Sequence, residues 1–354
     1  MRRAALPVAV AVGAAVLAPG IAVAQGEAAA QGEAAAQGEV YCTPTDPGLA
    51  ELSGLTVIGE TVYAIGDSGA DDRVAQLDPS CAVTRWIPNP VDPYDVEDLA
   101  SVDGRLVLAD IGDNDRRRDT VGLVRLDPET GAGDLARLTY PDGAHDAEAL
   151  LIGGDGRPVI VTKDGAGSGV YSTDVAVADL PSPGPTALRR VAEFVPDDTG
   201  TAGGPPLLAG SSLVTGGAVT ADGTLAALRT YTDVYLWSVS DGDVAGALGR
   251  PADRVVAAPA RPQGEAAAFT AEGDLLLASE QGLDPAAPLP PVDVLRAADI
   301  APARTSDPTP VADTEEAPAE PTSSILVPLV VAAASVLVIV GVTALLVVRV
   351  FRRR

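Results

Sequence analysis

Lysine and histidine each occur once, at Lys163 and His145, and cysteine twice, at Cys42 and Cys81, among 354 residues. One imidazole and two thiols cannot assemble a His and Cys zinc centre, and there is no zinc-ligand spacing, Walker loop or dinucleotide fingerprint. Basic side chains are scarce too: 24 Lys and Arg stand against 49 Asp and Glu, a net charge of −25. Such a field repels phosphate backbones and anionic lipid surfaces, so it argues against nucleic-acid binding and points to cations, basic partners or neutral ligands. Aromatic residues make up only 3% of the chain, but 47% is hydrophobic and 21% charged, which excludes a disordered protein and suffices for one large domain or two ordinary ones. Arginine in place of lysine, with abundant Ala, Gly and Pro, suggests a GC-rich bacterial genome.

Acidic residues are missing from both ends, none preceding Glu27 or following Glu320. Arg2 and Arg3 lead an apolar run from Ala4 to Leu17 and then Ala22-Val23-Ala24, the pattern of a secretory signal peptide over 1–24. Residues 25–39 read QGEAAAQGEAAAQGE, a low-complexity polar spacer. Ile325 to Val348 supplies 24 residues without a charge, a helix of about 36 Å against a hydrocarbon core of ~30 Å. Arg349, Arg352, Arg353 and Arg354 follow at once. The positive-inside rule then predicts a single-pass transmembrane helix over 325–348, a basic cytoplasmic tail over 349–354 and a cell-membrane protein with the rest outside. Residues 301–324, rich in Pro, Thr, Ala and acid, read as a stalk.

Between these ends, residues 40–300 contain an internal repeat. A short strand, a Gly or acidic turn and a second apolar strand recur from Ser53, Glu97, Glu148, Gly217 and Glu265. Anchored on Leu55, Leu99, Leu150, Val219 and Ala267, the intervals are 44, 51, 69 and 48 residues. Each unit continues with a third strand and, in four of five, a fourth, which is the make-up of a β-propeller blade. The second strands, such as Val159-Ile160-Val161, are continuously apolar, as sheets buried on both faces require. The fifth unit lacks its fourth strand, and Val40-Tyr41-Cys42 is expected to supply it and close the ring. The chain thus reads as all-β, a five-bladed β-propeller with a C-terminal transmembrane helix. The surplus of the 69-residue interval is too short for a six-bladed ring and is expected in loops at Pro181 to Pro185 and Thr199 to Pro206. Export into an oxidising compartment, with Cys42 on the closing strand and Cys81 at the start of the first blade's fourth strand, predicts a disulfide between them.

In a propeller the first strands line the central channel, so equivalent repeat positions meet in one mouth. Before the anchors stand Glu97, Glu148 and Glu265, with Ser53 and Gly217 in the other two blades. After the second strands come Asp67, Asp110 with Asp113 and Asn114, Lys163, Arg229 and Glu280. Carboxylates in such excess bind cations, hold raised pKa values or pair internally. Oxygen donors without thiolates favour calcium, with Glu97, Asp110, Glu148 and Glu265 as candidate metal ligands. Asp67, Asp113, Asn114, Lys163, Arg229 and Glu280 are the candidate ligand-binding residues. The alternative is that these acids end strands and cap turns.

Two local motifs lead nowhere further. Gly66-Asp67-Ser68-Gly69 has the form of a trypsin-like serine motif, but His145 lies downstream of Ser68, contrary to the order of that triad. Asp110-Ile111-Gly112-Asp113-Asn114-Asp115 lacks the alternate-position acids and terminal Glu of an EF-hand loop.

Ser53-Gly54-Leu55 with Gly66-Asp67-Ser68-Gly69, and Glu97-Asp98-Leu99-Ala100 with Asp110-Ile111-Gly112-Asp113-Asn114, resemble the secreted bacterial β-propellers of the phytase-like esterase and gluconolactonase-like group, including actinobacterial surface proteins. The resemblance spans residues 40–300 and implies a propeller whose acidic mouth holds calcium for ester or lactone hydrolysis. Phytase activity conflicts with the absence of a Lys/Arg cluster for a polyphosphate. The leading expectation is a membrane-anchored extracellular propeller that binds a ligand or protein partner through its acidic mouth with a divalent cation. The alternatives are a metal-dependent lactone or ester hydrolase and a structural cell-envelope protein.

Overall fold

The computed structural model describes residues 38–67, 69–208 and 210–302. The expected signal peptide, nearly all of the spacer and stalk, the transmembrane helix and the basic tail lie outside the described residues, as does Ser68. Among the described residues no helix is long and apolar enough to cross a membrane.

Among the described residues twenty-one strands form five sheets, one per repeat. The chain opens with β1 (Glu39–Cys42), which starts on the last residue of the expected spacer. Blade 1 is β2 (Leu52–Ile58), β3 (Thr61–Gly66), β4 (Arg73–Leu77) and β5 (Val83–Pro88). Blade 2 is β6 (Val96–Val102), β7 (Arg105–Asp110), β8 (Val121–Leu126) and β9 (Gly133–Thr139). Blade 3 is β10 (Ala147–Ile152), β11 (Pro158–Thr162), β12 (Ser168–Ser172) and, after the short β13 (Thr186–Ala187), β14 (Arg189–Phe194). Blade 4 is β15 (Val214–Val219), β16 (Leu225–Thr230), β17 (Asp233–Ser238) and β18 (Arg254–Ala257). Blade 5 is β19 (Gln263–Phe269), β20 (Leu275–Glu280) and β21 (Val292–Leu295), completed by β1 antiparallel to β21. The inner strands touch in the order β2, β6, β10, β15, β19 and back to β2, so the ring is closed.

Local chemistry sets the hairpins. Asp103 and Gly104, at φ 49° and 75°, make the two-residue turn between β6 and β7, where positive φ matches the twist of the strands it joins. The core is divided into five apolar wedges, one between each pair of neighbouring blades. Ala, Val and Leu fill most of them; the wedge of blades 3 and 4 takes Phe194, Tyr235 and Trp237 in edge and stacked contacts. Small residues let five sheets approach closely about one axis, which accounts for the low aromatic content.

Cys42 and Cys81 form a disulfide with Cα atoms 5.7 Å apart. Cys81 lies in the turn ahead of β5, not at its first residue, and the bond joins the closing strand of blade 5 to blade 1. Two other expectations need correction. The Pro181 to Pro185 segment leads into β13, which pairs in parallel with β9, so blade 2 has a fifth strand and part of the surplus is sheet. In blade 4 the strand pairing aligns Gly217, not Val219, with Leu55, Leu99, Leu150 and Ala267, so the last two intervals become 67 and 50 residues.

Candidate functional site

A bulge recurs near the start of every inner strand. Pairing with the second strand slips by one residue at Ser53, Glu97, Glu148, Thr215 and in the Gly264 to Ala267 stretch that holds Glu265. A bulge re-aims a side chain without ending the strand. All five residues are buried. Ser53 and Thr215 close onto the next blade, their hydroxyls donating to Glu97 O (2.6 Å) and Gly264 O (2.8 Å). The three glutamates instead meet other carboxylates.

Two further positions join this level. Ahead of the inner strands stand Glu51, Asp95 and Asp146; after the second strands stand Asp67, Lys163 and Tyr231, and Glu280 is the last residue of its own. Carboxylate oxygens of Glu97, Asp146 and Glu148 lie within 4.8 Å of one another, and so do those of Glu51, Asp67 and Glu280. Lys163 is the mouth's ammonium, 2.8 Å from Glu148 Oε1 and 5.2 Å from the centre of the Tyr231 ring. Glu148 Oε2 and Glu265 Oε2 are buried with no hydrogen-bond partner. Gly112 keeps the Glu97 side open, because a Cβ there would collide with Glu97 Oε1 and Asp95 Oδ2.

Burial and mutual repulsion hold these carboxyls above their ordinary range. Glu97 is raised well above it by burial, then by Glu148, Asp95 and Asp67. Glu265 is raised well above it by burial and Glu280. Glu148 is pushed up to about 7, burial outweighing its ion pair with Lys163. Burial also raises Asp95 and Glu280. Lys163 goes up despite burial, because Glu148, Glu265 and Tyr231 all favour its charge. The mouth is thus a set of acids that cannot all ionise unless a cation or protons offset them.

The sequence candidates divide accordingly. Glu97, Glu148, Glu265, Asp67, Lys163 and Glu280 converge. Asp110 is turned to Arg118 at 2.8 Å and accepts the Asp95 N–H at 3.0 Å. Asp113 shapes its own loop, accepting the N–H groups of Arg117 and Arg118. Asn114 is exposed on that loop. Arg229 lies outside the mouth: it is fully buried between blades 4 and 5, donating to Ala266 O (2.7 Å) and Ala278 O (2.6 Å), in the register slot held by Ile65, Ala109 and Val161 elsewhere. His145 contacts Asp142 and Tyr171 at 3.0 Å each and belongs to neither carboxylate cluster. Sequence reasoning missed Glu51, Asp95 and Asp146 as mouth residues, although an acid immediately before the inner strand in three blades was the signal.

Below the glutamates, the fully buried Asp98 reaches across the axis. Its carboxylate accepts from Leu99 N and Leu150 N at 2.8 Å and Gly217 N at 3.3 Å, equivalent positions of blades 2, 3 and 4. A cavity of about 650 Å³ lies on the other side, lined by the far ends of the inner strands, Thr56, Ser101 and Thr220 among them. Its carboxylates, Asp103, Asp155 and Asp179, are exposed, so the unusual chemistry belongs to the mouth.

No protein-family model and no curated protein matches the chain. Solved structures similar to it include the following three. A gluconolactonase of Xanthomonas campestris shares 14% identity over 71% of this chain and 79% of that one, with a TM-score of 0.39. Virginiamycin B lyase of Staphylococcus aureus, a catalytically inactive form with quinupristin, shares 12% over 69% and 66%, with a TM-score of 0.33. A streptogramin B lyase shares 11% over 69% and 64%, also at 0.33. The propeller assignment itself rests on the five sheets and the closed ring of inner strands.

Proposed function

We propose that this propeller binds a divalent cation in its acidic mouth through Glu97, Asp146 and Glu148, and through that cation a neutral or cationic ligand. The observation that carries the reading is Glu148 Oε2, buried and without a partner inside a cluster of three carboxylates. Oxygens this close can share one ion, and a set of carboxylate donors without thiolate or imidazole suits a hard cation such as calcium. Zinc would want imidazole or thiolate, and both cysteines are in the disulfide while His145 is held by Asp142 and Tyr171.

A second reading, hydrolysis of a lactone or ester, is favoured by the placement of Glu148 beside Lys163. A carboxyl that titrates near neutrality can take and return a proton, and a bound cation would polarise a carbonyl oxygen. Turnover of a simple lactone or ester that chelator abolishes supports hydrolysis; cation binding without turnover leaves the ligand-binding reading.

The test of cation binding is a melting curve of the full chain with calcium chloride. At a hundredfold excess over Kd the midpoint should rise by roughly 5–10 °C and fall back with chelator. Glu97→Gln with Glu148→Gln should lose most of the calcium shift. A wild type that ignores calcium, or a double variant that responds fully, overturns the reading.

A further inference from the structure

The cation site just described draws on blades 2 and 3 and leaves the acids of blades 5 and 1 unused. Glu51 precedes β2, Asp67 follows β3 and Glu280 ends β20, and their carboxylate oxygens lie within 4.8 Å of one another. Three acids at strand ends would not by themselves make a site. The second observation is Glu265, which projects from the blade 5 bulge, is 3% exposed and has Oε2 buried without a partner. Its strongest side-chain neighbour is Glu280, a member of this cluster. Gln263 already donates its amide to Glu280 Oε2, while the Lys163 ammonium is hydrogen-bonded to Glu148 and acts on Glu265 and Glu280 only through its field. A buried, unpartnered oxygen beside three converging carboxylates is a place where a bound cation can replace the protons these acids otherwise hold.

We propose that the mouth holds two divalent cations, the second bound by Glu51, Asp67 and Glu280 with Glu265 beside them. This rests on the cation reading above and extends it. The two clusters come from different blade pairs and share no carboxylate, so each can be removed without taking a ligand from the other. Lys163 stands with Glu148 as a fixed internal cation and gives the two sites different charge environments: the blade 2 and 3 site shares a carboxylate with an ammonium, and the blade 5 and 1 site does not pair with it. The second site is therefore expected to bind calcium the more tightly of the two.

Equilibrium dialysis of the full chain against calcium chloride counts the ions. Two per chain are expected in the wild type, one in Glu51→Gln with Asp67→Asn, and one in Glu97→Gln with Glu148→Gln. Each exchange keeps the side-chain shape nearly constant, and the single variant Glu51→Gln, expected to weaken the tighter site at least tenfold, serves if a double variant does not fold. One ion in the wild type that survives the Glu51 and Asp67 exchange overturns the second site and leaves the first. Two ions that persist through that exchange also overturn it, and no bound calcium at all removes both.

Discussion

At the scale of single residues, the mouth carboxyls make a pH signature whose sign follows from their environment. Glu148 is pushed up to about 7 and Asp98 to about 8, with burial the first cause in both, and Glu97 and Glu265 are raised further above their ordinary range. In the folded, metal-free protein these groups keep protons that the unfolded chain has released above its ordinary carboxyl values. The stability they contribute is therefore full below about pH 4 and lost as pH rises through the folded values. The paired surface acids run the other way: hydrogen bonds from Arg125 lower Asp134, and Asp274 is lowered by the Ala297 N–H and Arg296 against its burial, so their contribution disappears only on acidification. Between pH 5 and 8 the mouth dominates, and the metal-free melting temperature should fall, on the order of 1 kcal/mol of stability per pH unit for each group giving up its proton. Calcium competes with those protons, so its stabilising shift should grow over the same interval. Melting curves at pH 5, 6.5 and 8, with and without calcium, check both trends; a flat metal-free profile would mean that the glutamates are ionised and compensated within the protein.

At the scale of elements, ring closure depends on β1. It pairs with β21 through Glu39↔Val294, Val40↔Asp293 and Cys42↔Val292, and Arg296 ties Glu39 to Asp274 at one end while the disulfide holds the other to blade 1. Without that latch the edge of β21 meets water. Replacing both Cys42 and Cys81 by Ala should cost about 2–5 kcal/mol, with amide exchange rising first in β1 and β21. Unchanged protection there would show that strand pairing alone closes the ring. The latch was legible before the structure because a unit lacking its fourth strand leaves one vacancy, and an apolar segment before the first repeat fills it. The repeats were legible because each hairpin joins an apolar inner strand to a second strand buried on both faces. The bulge was not, since an extra residue is defined by the partner strand's register. That is why blade 4 was read two residues late: the apolar Val219 looked like the anchor, but Gly217 occupies it against Leu151, and Gly216 passes too close to Glu265 O for any Cβ. Arg229 misled for a related reason. A charge after an apolar run looks like a strand end, yet this one is sealed between sheets, where two carbonyls accept from its Nη1 and its Nε is left without a partner. β13 was illegible because its pairing with β9 joins a loop of blade 3 to the sheet of blade 2.

At the scale of the whole molecule, five sheets about one axis leave a narrow channel whose walls are the free N–H and C=O edges of the inner strands. Gly54, Asp98, Ala149, Gly216 and Ala266 share one register level there, and four of the five are too small to cross it. Asp98 does cross, and it gathers edge N–H groups from three different blades. The carboxylate is both a plug and a clamp: it parts the acidic mouth from the cavity on the opposite face, and it fixes β6, β10 and β15 just below Glu97, Glu148 and Thr215. Asp98→Ala makes this position like its counterparts in blades 3 and 5 and leaves three convergent N–H donors buried without an acceptor. The loss should be on the order of 3 kcal/mol, because three buried N–H groups lose their one acceptor together. The vacated space has the shape and polarity of a small carboxylate. Formate, and to a lesser degree the bulkier acetate, should therefore raise the melting temperature of Asp98→Ala in a saturable way, while leaving the wild type unmoved at equal ionic strength with chloride. If formate and chloride act alike on the variant, the three N–H groups do not form an anion pocket, and Asp98 holds the ring together by packing alone.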